Sequence, residues 1–184
     1  MIGPSLSIAQ EAMSRRVLDV ADYPLAGVMF KDVTPLLADP AGFAAVVDVL
    51  AGGGRDNAGN VAIDKVVGIE ARGFIFGAPV ALALGVGFVP VRKGGKLPRA
   101  THSVSYSLEY ADATLEIHQD AISPGERVLL IDDVLATGGT LTAARELVEA
   151  CGGTCVRAAV LMEFTALNGR AAAGDLPISA ITTV

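Results

Sequence analysis

One stretch of the chain constrains the fold more than any other: an aliphatic run, two acids, a small-residue loop and a helical pattern in succession. Residues 128–131 are only Val, Leu and Ile, which is typical of a central parallel strand covered on both faces. Asp132 and Asp133 follow, and Ala136–Thr140 lead into a helix predicted over Gly139–Ala150. This order predicts an α/β fold in which the acids end the strand and, with the loop, lie at the carboxyl edge of the sheet.

The second half of the chain repeats this alternation. Apolar runs separated by helical patterns predict parallel strands joined by right-handed crossovers. Alternating residues with Ala111-Asp112 between them predict a β-hairpin. The predicted strands are Lys65–Ile69, Phe88–Arg92 and Thr154–Met162, the predicted helix between the first two covers about residues 74–84, and the hairpin pairs Ser105–Tyr110 with Thr114–His118.

The first half has weaker signals. Apolar residues at helical spacing predict a helix over Ser5–Val20. The segment Asp22–Asp39 is predicted as a loop, because it is rich in Pro, Gly and Asp. Asp39 followed by Pro40 predicts a capped helix start, with the helix ending near Leu50. Gly52–Gly59 is predicted as a mobile surface loop.

Composition excludes several classes of protein. The length of 184 residues fits one domain, and 52% apolar residues suffice for a large core. A net charge of −6 argues against a nucleic-acid-binding protein. Cys151 and Cys155 give no disulfide framework, which favours a reducing, cytoplasmic compartment. The uncharged residues 74–91 reach the length of a membrane span, but Gly85 and Gly87 predict a break between a buried helix and a strand, so no membrane association is expected.

The loop and the acids suit two ends of one ligand. Successive backbone N–H groups, two hydroxyls and a helix N-terminus in Ala136–Thr140 predict an anion site that suits a phosphate monoester. Asp132 and Asp133 would repel that phosphate. They can instead accept hydrogen bonds from neighbouring hydroxyls, or hold water on a metal. A phosphate at the loop and a diol at the carboxylates together describe a ribose 5-phosphate.

A cationic zone adds a second anion site. Residues 71–108 contain no Asp or Glu. Because parallel strands end at a common edge, cations that follow two of them are expected near Asp132, where they would stabilise the charge on a diphosphate leaving group. The cations of this zone are Arg72, Arg92, Lys93, Lys96 and Arg99.

Ile131–Leu141 resembles the signature with which type I phosphoribosyltransferases bind 5-phosphoribosyl 1-diphosphate (PRPP). The chain is similar to the adenine-specific branch of that family from about residue 8 to 175, most clearly in Tyr23–Leu36, Gly68–Gly77, Val91–Pro98 and Ser105–Tyr110. The resemblance implies one α/β domain over residues 1–184, with a central, mostly parallel sheet flanked by helices. It further implies a base-binding hood from residues 1–38 and a flexible catalytic hairpin over residues 93–118.

The resemblance also implies roles at the PRPP end of the site. Asp132 and Asp133 would bind the ribose hydroxyls and, through water, Mg²⁺. Arg72 and Lys96 would stabilise the leaving diphosphate, Lys96 from across a dimer interface. The 5-phosphate would be bound by Ala136, Thr137, Gly138, Gly139 and Thr140, and the diphosphate by Glu70, Ala71, Arg72, Arg92, Lys93 and Lys96, with a cis peptide expected at Glu70–Ala71.

At the base end, the resemblance implies that Met29, Phe30 and Lys31 read adenine, with Phe30 stacked on the ring and Phe164 as the other wall. Glu109 would handle the purine proton, with Tyr110 beside it on the catalytic hairpin. The chain departs from the family at three positions: Ala71 stands where Ser or Thr is usual, Lys31 where Arg is frequent and Arg99 where Gly is common.

The expected function is a Mg²⁺-dependent transfer of the 5-phosphoribosyl group from PRPP to adenine N9, giving AMP and diphosphate. The enzyme is expected to be a cytoplasmic homodimer. Transfer to another base, such as xanthine, hypoxanthine or guanine, stays open as an alternative. So do a non-catalytic PRPP-sensing regulator and a general phosphosugar-binding domain.

Overall fold

A computed structural model describes residues 4–107 and 112–184. The chain divides into two compact units, Met1–Val49 and Leu50–Val184. The second unit contains a seven-stranded sheet, the predicted 5-phosphate loop and most of the other predicted site residues.

The first unit is mainly helical, with a small two-stranded sheet. Strand β1 (Leu18–Val20) pairs antiparallel with strand β2 (Phe30–Asp32), and Lys31 Nζ lies 2.6 Å from Asp19 Oδ1 across that pair. Asp39 accepts backbone N–H bonds from the first turn of the next helix, so the predicted cap is confirmed. The elements are α1 (Pro4–Arg16), β1 (Leu18–Val20), β2 (Phe30–Asp32), α2 (Thr34–Leu37) and α3 (Pro40–Ala51), the last of which runs on into the second unit.

Two predictions for this region were wrong. The first helix ends at Arg16 rather than at Val20, because residues 18–20 pair with β2. The predicted loop Asp22–Asp39 contains both β2 and α2. Strands of three residues are too short to show a period, so a partner distant in the sequence decides their conformation.

A seven-stranded sheet forms the centre of the second unit, and the predicted α/β class is confirmed. The elements of this unit are β3 (Lys65–Ile69), α4 (Arg72–Leu84), β4 (Gly87–Lys93), β5 (Thr101–Ser107), β6 (Asp112–His118), β7 (Arg127–Leu135), α5 (Gly139–Ala150), β8 (Thr154–Glu163), α6 (Gly169–Ala173) and β9 (Ile178–Thr183). The strand order of the sheet is β5-β6-β4-β3-β7-β8-β9, with β4, β3, β7, β8 and β9 parallel and the β5–β6 hairpin antiparallel at one edge.

Strand β7 is longer than predicted, and this changes where the acids lie. It does not end at Ile131 but continues through Asp132 and Asp133 to Leu135. Its pairing with β8 extends to the same point, with Leu135 opposite Glu163. The carboxylates therefore belong to the strand itself, near its carboxyl end.

Alternation along β7 explains its continuous apolar run. Val128 and Leu130 join Leu141 and Leu147 of α5 in one buried cluster. Leu129 and Ile131 are also fully buried. Because side chains alternate along a strand, they lie on the opposite face, where α4 packs on β3 and β7. Each fully buried Leu contributes about 2 kcal/mol, so both faces of β7 stabilise the sheet.

Two boundaries elsewhere also differ from the predictions. The segment after α3 is not simply a mobile surface loop, because Gly52–Gly54 form a 3-10 turn in which Gly53 and Gly54 are buried. A Cβ on Gly54 would lie 2.7 Å from Leu84 Cδ1, so this turn is packed on the core. Strands β5 and β6 begin at Thr101 and Asp112, both earlier than predicted. Asp112 therefore belongs to a strand rather than to the predicted turn, and Ala111 lies outside the described residues.

The uncharged segment 74–91 divides into α4 and β4, as predicted. Among the helices in residues 4–107 and 112–184, none is both long enough and apolar enough to cross a membrane.

Candidate active site

A cavity of about 730 Å³ opens where the parallel strands β3, β4 and β7 end. This is the edge at which open α/β sheets bind ligands, and the volume is in the range of small-molecule sites. Six separate stretches of the second unit contribute to it. Its lining comprises Glu70, Ala71, Arg72, Lys93, Gly94, Tyr106, Ala113, Thr114, Leu115, Asp132, Asp133 and Thr140.

The two acids of β7 are buried at this edge. Asp132 is 9% exposed and Asp133 6%. The Asp133 backbone N–H donates to Asp132 Oδ1 over 2.9 Å, and Asp133 Oδ2 lies 2.8 Å from Arg72 Nη2. Burial raises the pKa of both carboxyls, and the neighbouring Asp133 raises the pKa of Asp132 further. Arg72 partly offsets the rise at Asp133.

The close approach of α4 to β7 depends on Gly73. A Cβ at this position would lie 2.7 Å from Ile131 O and 3.1 Å from Asp132 Oδ1. Only glycine therefore lets the first turn of α4 reach the acids, and this contact brings Arg72 to Asp133.

The predicted diphosphate loop is held by Glu70. The Glu70–Ala71 peptide is cis, as predicted. Glu70 Oε2 accepts hydrogen bonds from Arg92 Nε (3.1 Å) and from the Lys93 backbone N–H (3.0 Å). Burial alone would raise the pKa of Glu70, but these two donors outweigh it and hold the pKa below its ordinary value. Glu70 is therefore a carboxylate that orders the loop and the end of β4.

The predicted 5-phosphate loop caps α5. Gly138 is the N-cap residue, has a φ of 89° and supplies no side-chain cap, so the first N–H groups of the helix point toward the loop. A smaller cavity of about 100 Å³ lies within this loop, lined by Ala136, Thr137, Gly138 and Thr140 among others. Thr140 lines both cavities, so the loop lies beside the cavity that contains the acids.

Several predicted residues lie elsewhere. Arg92 and Lys96 do not line the large cavity, because Arg92 turns to Glu70 and donates through Nη1 to Lys96 O over 3.1 Å. Phe164 is half-buried after β8 and also lies outside the lining. Met29, Phe30 and Lys31 belong to the first unit, where Phe30 packs edge-to-face on Tyr23 at 5.1 Å. Glu109 and Tyr110 lie outside the described residues.

The sequence prediction missed the hairpin side of the cavity. Tyr106 on β5 places its hydroxyl 3.2 Å from Thr140 Oγ1. A Cβ on Gly139 would lie 3.2 Å from the Tyr106 ring, so the ring covers the start of α5. The alternation that predicted the hairpin could have placed Tyr106 on one of its faces, but not against a loop 34 residues away.

The acids of β7 suit a hard cation. Asp132 and Asp133 offer carboxylate oxygens, which Mg²⁺ prefers. Within residues 4–107 and 112–184, no cluster of three or more His, Cys, Asp or Glu side chains could hold a metal. Mg²⁺ commonly keeps several waters and binds through one or two carboxylates plus the phosphates of a substrate. The residues present therefore fit a metal that arrives with a phosphorylated substrate.

Comparison with known proteins gives consistent matches. A family model for the phosphoribosyl transferase domain matches residues 33–180. An adenine phosphoribosyltransferase from Nocardioides sp. is 59% identical over 182 residues, covering 99% of this chain and 98% of the relative. A crystal structure of adenine phosphoribosyltransferase from Thermoanaerobacter pseudethanolicus is 44% identical, with a TM-score of 0.88 over 95% of this chain and 99% of that chain. The Saccharomyces cerevisiae enzyme, solved with an imino-altritol bisphosphate and adenine, is 38% identical, with a TM-score of 0.89 over 95% and 98% of the two chains.

Proposed function

The chain belongs to the phosphoribosyl transferase family, within it to the adenine phosphoribosyltransferases, and from this premise we propose how its residues carry out the reaction. The enzyme transfers the 5-phosphoribosyl group of PRPP to adenine N9, giving AMP and diphosphate. The bond between the anomeric carbon and the diphosphate oxygen breaks, and the bond from N9 to that carbon forms. The diphosphate leaves with the electron pair, and N9 gives up its proton.

The ribose phosphate is proposed to lie between the phosphate loop and the acids of β7. Backbone N–H groups of Ala136–Thr140 and the N-terminus of α5 would bind the 5-phosphate. Asp132 and Asp133 would accept hydrogen bonds from the ribose hydroxyls. The observation that carries this proposal is the pair of buried carboxylates beside that loop, because a buried charge without enough partners is costly unless a ligand supplies them.

The diphosphate is proposed to lie at the other side of the large cavity. The backbone at Glu70 and Ala71, with the cations of Arg72 and Lys93, borders this region. Positive charge there would stabilise the transition state more than the bound substrate, because negative charge builds on the leaving group as the bond breaks. Arg92 would act mainly by fixing Glu70, since its guanidinium already bonds that carboxylate.

Catalysis is proposed to depend on Mg²⁺, which Asp132 and Asp133 would help to hold through water when the diphosphate group is bound. Bound there, the metal would neutralise part of the charge on the leaving group. The cavity itself holds carboxylates as well as cations, so the protein alone offers little net countercharge. Activity should vanish in excess EDTA and return with Mg²⁺, and full activity in EDTA would contradict the requirement.

Adenine is proposed to be read by the hood, residues 1–38, through the backbone of Met29–Lys31, with Phe30 on the ring. Glu109 on the hairpin would take the N9 proton, directly or through water, with Tyr110 beside it. Glu109→Gln should lower kcat about a hundredfold with little change in the KM for PRPP, as expected for loss of a general base. An unchanged kcat would remove Glu109 from the mechanism.

We propose a homodimer formed through one face of α4. Beyond Arg72 this helix has no charged residue, and Ile75 and Leu82, two turns apart on the same side, are 41% and 83% exposed. A helix that is apolar all round is normally buried, which a second copy would achieve. Light scattering should give twice the chain mass, and Leu82→Lys should shift it toward the monomer. A monomeric wild-type protein would refute the dimer and with it the proposed role of Lys96 across the interface.

A cytoplasmic location is proposed from the thiols. Cys151 and Cys155 are both free and buried, and burial raises the pKa of Cys155 to about 12. Unpaired cysteines are typical of proteins in reducing compartments.

Base preference is the sharpest test of the function. Purified enzyme with PRPP and Mg²⁺ should convert adenine to AMP far faster than it converts hypoxanthine, guanine or xanthine. A preference for an oxopurine would overturn the adenine assignment while leaving the family unaffected.

A further inference from the structure

The short helix α6 packs directly against the proposed 5-phosphate loop. A Cβ on Gly138 would overlap Gly169 O and lie 2.9 Å from Ala172 Cβ. A Cβ on Gly169 would overlap Ala136 O and lie 2.8 Å from Leu135 Cδ1. The two backbones therefore approach as closely as glycine allows, and the path of the loop depends on the position of α6.

A threonine links the same two backbones. The Thr142 hydroxyl lies 3.0 Å from Gly138 O and 3.1 Å from Ala172 O. Its single proton can be donated to either carbonyl. The first turn of α5, the loop and α6 are thus joined at one point.

Helix α6 has only five residues, too few to be stable by itself. Arg170 anchors it. Its Nε donates to Glu163 Oε1 and its Nη2 to Glu163 Oε2, both over 2.7 Å, and its Nη1 donates to Ile178 O over 2.9 Å. The pair of hydrogen bonds to the Glu163 carboxylate fixes the orientation of the guanidinium as well as its position. One side chain therefore holds α6 to both β8 and β9.

The anchor lies beside the strand that leads into the loop. Glu163 is 6% exposed and stands opposite Leu135, the residue before Ala136. The Phe164 N–H also donates to Leu135 O over 2.9 Å. The end of β7, which starts the loop, and the end of β8, which holds Arg170, are therefore one hydrogen-bonded unit.

We propose that Arg170, held by Glu163, is a positioning residue for the 5-phosphate site. It touches no substrate. It sets α6, and α6 sets the path of Ala136–Thr140, whose N–H groups must converge on a phosphate. This inference rests on the proposed function, and it assigns the effect of Arg170 to the 5-phosphate end of the ligand alone.

The test compares AMP, which carries a 5-phosphate, with diphosphate, which does not. Calorimetry would measure the affinity of the wild type, Arg170→Gln and Asp175→Asn for each ligand. The last variant is the matched control, because the 87% exposed Asp175 carboxylate pairs with Arg145 just past the other end of α6. Arg170→Gln should bind AMP about tenfold more weakly and diphosphate within about twofold of wild type, whereas Asp175→Asn should change neither.

Kinetics give a second readout. Arg170→Gln should raise the KM for PRPP about tenfold and change kcat much less. Arg170→Lys keeps the charge but loses the planar fork, so it should fall between wild type and Arg170→Gln. If Arg170→Gln does not fold, Arg170→Lys takes its place in the test. A wild-type affinity for AMP in folded Arg170→Lys would overturn the inference.

Two further results would overturn it: AMP affinity unchanged in Arg170→Gln, or equal weakening of AMP and diphosphate, which would mark a general loss of structure. A wild-type protein that binds no AMP would instead overturn the proposed function, and this inference with it.

Discussion

Two neighbouring strands carry buried carboxylates near their carboxyl ends, but the surroundings of these carboxylates shift their pKa values in opposite directions. On β8, Glu163 receives two bonds of 2.7 Å from Arg170. On β7, Asp132 Oδ1 accepts a hydrogen bond from the Asp133 backbone N–H, and Asp133 Oδ2 lies 2.8 Å from Arg72 Nη2. The Arg170 hydrogen bonds hold the pKa of Glu163 below its ordinary value, whereas burial raises the pKa of both aspartates.

This difference separates a structural acid from acids kept for a ligand. Glu163 has its countercharge inside the protein, so ionisation of Glu163 stabilises the fold. Asp132 and Asp133 repel one another, and the Arg72 guanidinium offsets the effect of burial only in part. Hydroxyls or a hydrated cation would supply further partners. Such unfavourable arrangements are common where stability has been given up for function.

The largest effect should come from removing both charges on β7. Asp132→Asn together with Asp133→Asn should lower kcat/KM for AMP synthesis on the order of a thousandfold, because the ribose loses its acceptors and the metal its carboxylates. The double variant should stay folded, as judged by circular dichroism. A matched control is Glu146→Gln with Glu149→Gln, which removes two exposed charges from α5 and should keep full activity.

Replacing Glu163, the acid paired with Arg170, by its amide should destabilise the folded protein. Glu163→Gln should lower the free energy of unfolding by about 2 kcal/mol, since Arg170 loses its charged partner and the amide cannot accept both bonds. Urea denaturation would measure the change. An unaltered midpoint would mean that the ion pair with Arg170 contributes nothing to stability, and the contrast between the strands would fail.

The same chemical change on β7 should act in the other direction. Asp132→Asn should raise the free energy of unfolding by about 1 kcal/mol at pH 7, because it removes a buried charge beside another and its Oδ1 can still accept the Asp133 N–H. The same urea series measures it. Destabilisation similar to that of Glu163→Gln would show that the two acids are treated alike.

The pH dependence should be smaller and should again have opposite signs. The folded-state pKa of Asp132 is raised, so its favourable contribution is present below the unfolded pKa and is lost as pH rises through the folded value. The folded-state pKa of Glu163 is lowered, so its contribution is present above the unfolded pKa and is lost as pH falls through the folded value.

The stability gained by Asp132→Asn should therefore be larger at pH 8 than at pH 5, whereas the loss in Glu163→Gln should be nearly the same at both. Urea titrations of both variants and the wild type across this range would test this. A gain in Asp132→Asn that does not depend on pH would contradict the raised folded-state pKa of Asp132.

The sequence predicted what local pattern decides. The apolar run, the acids and the small-residue loop predicted β7 and α5 in the right order, and α5 has the predicted bounds. The cis peptide at Glu70–Ala71 and the position of Lys93 at the cavity were also predicted correctly. Each of these depends on residues close together in the chain or on the shared edge of a parallel sheet.

What the sequence did not predict depends on partners far apart. The extra length of β7 comes from its pairing with β8. The Arg72 guanidinium pairs with Asp133 because Gly73 allows α4 to approach β7 closely. Tyr106 reaches Thr140 through the packing of the hairpin on α5. Helix α6 has no local signal, since a five-residue helix held by one arginine leaves no periodic pattern.

The most direct test of the account is a crystal structure of the enzyme with AMP bound. The 5-phosphate should lie within hydrogen-bond distance of backbone N–H groups in Ala136–Thr140, and the ribose hydroxyls should bond to Asp132 and Asp133. Ribose hydroxyls bound elsewhere, with both aspartates unengaged, would contradict the claim that these acids are kept for the sugar.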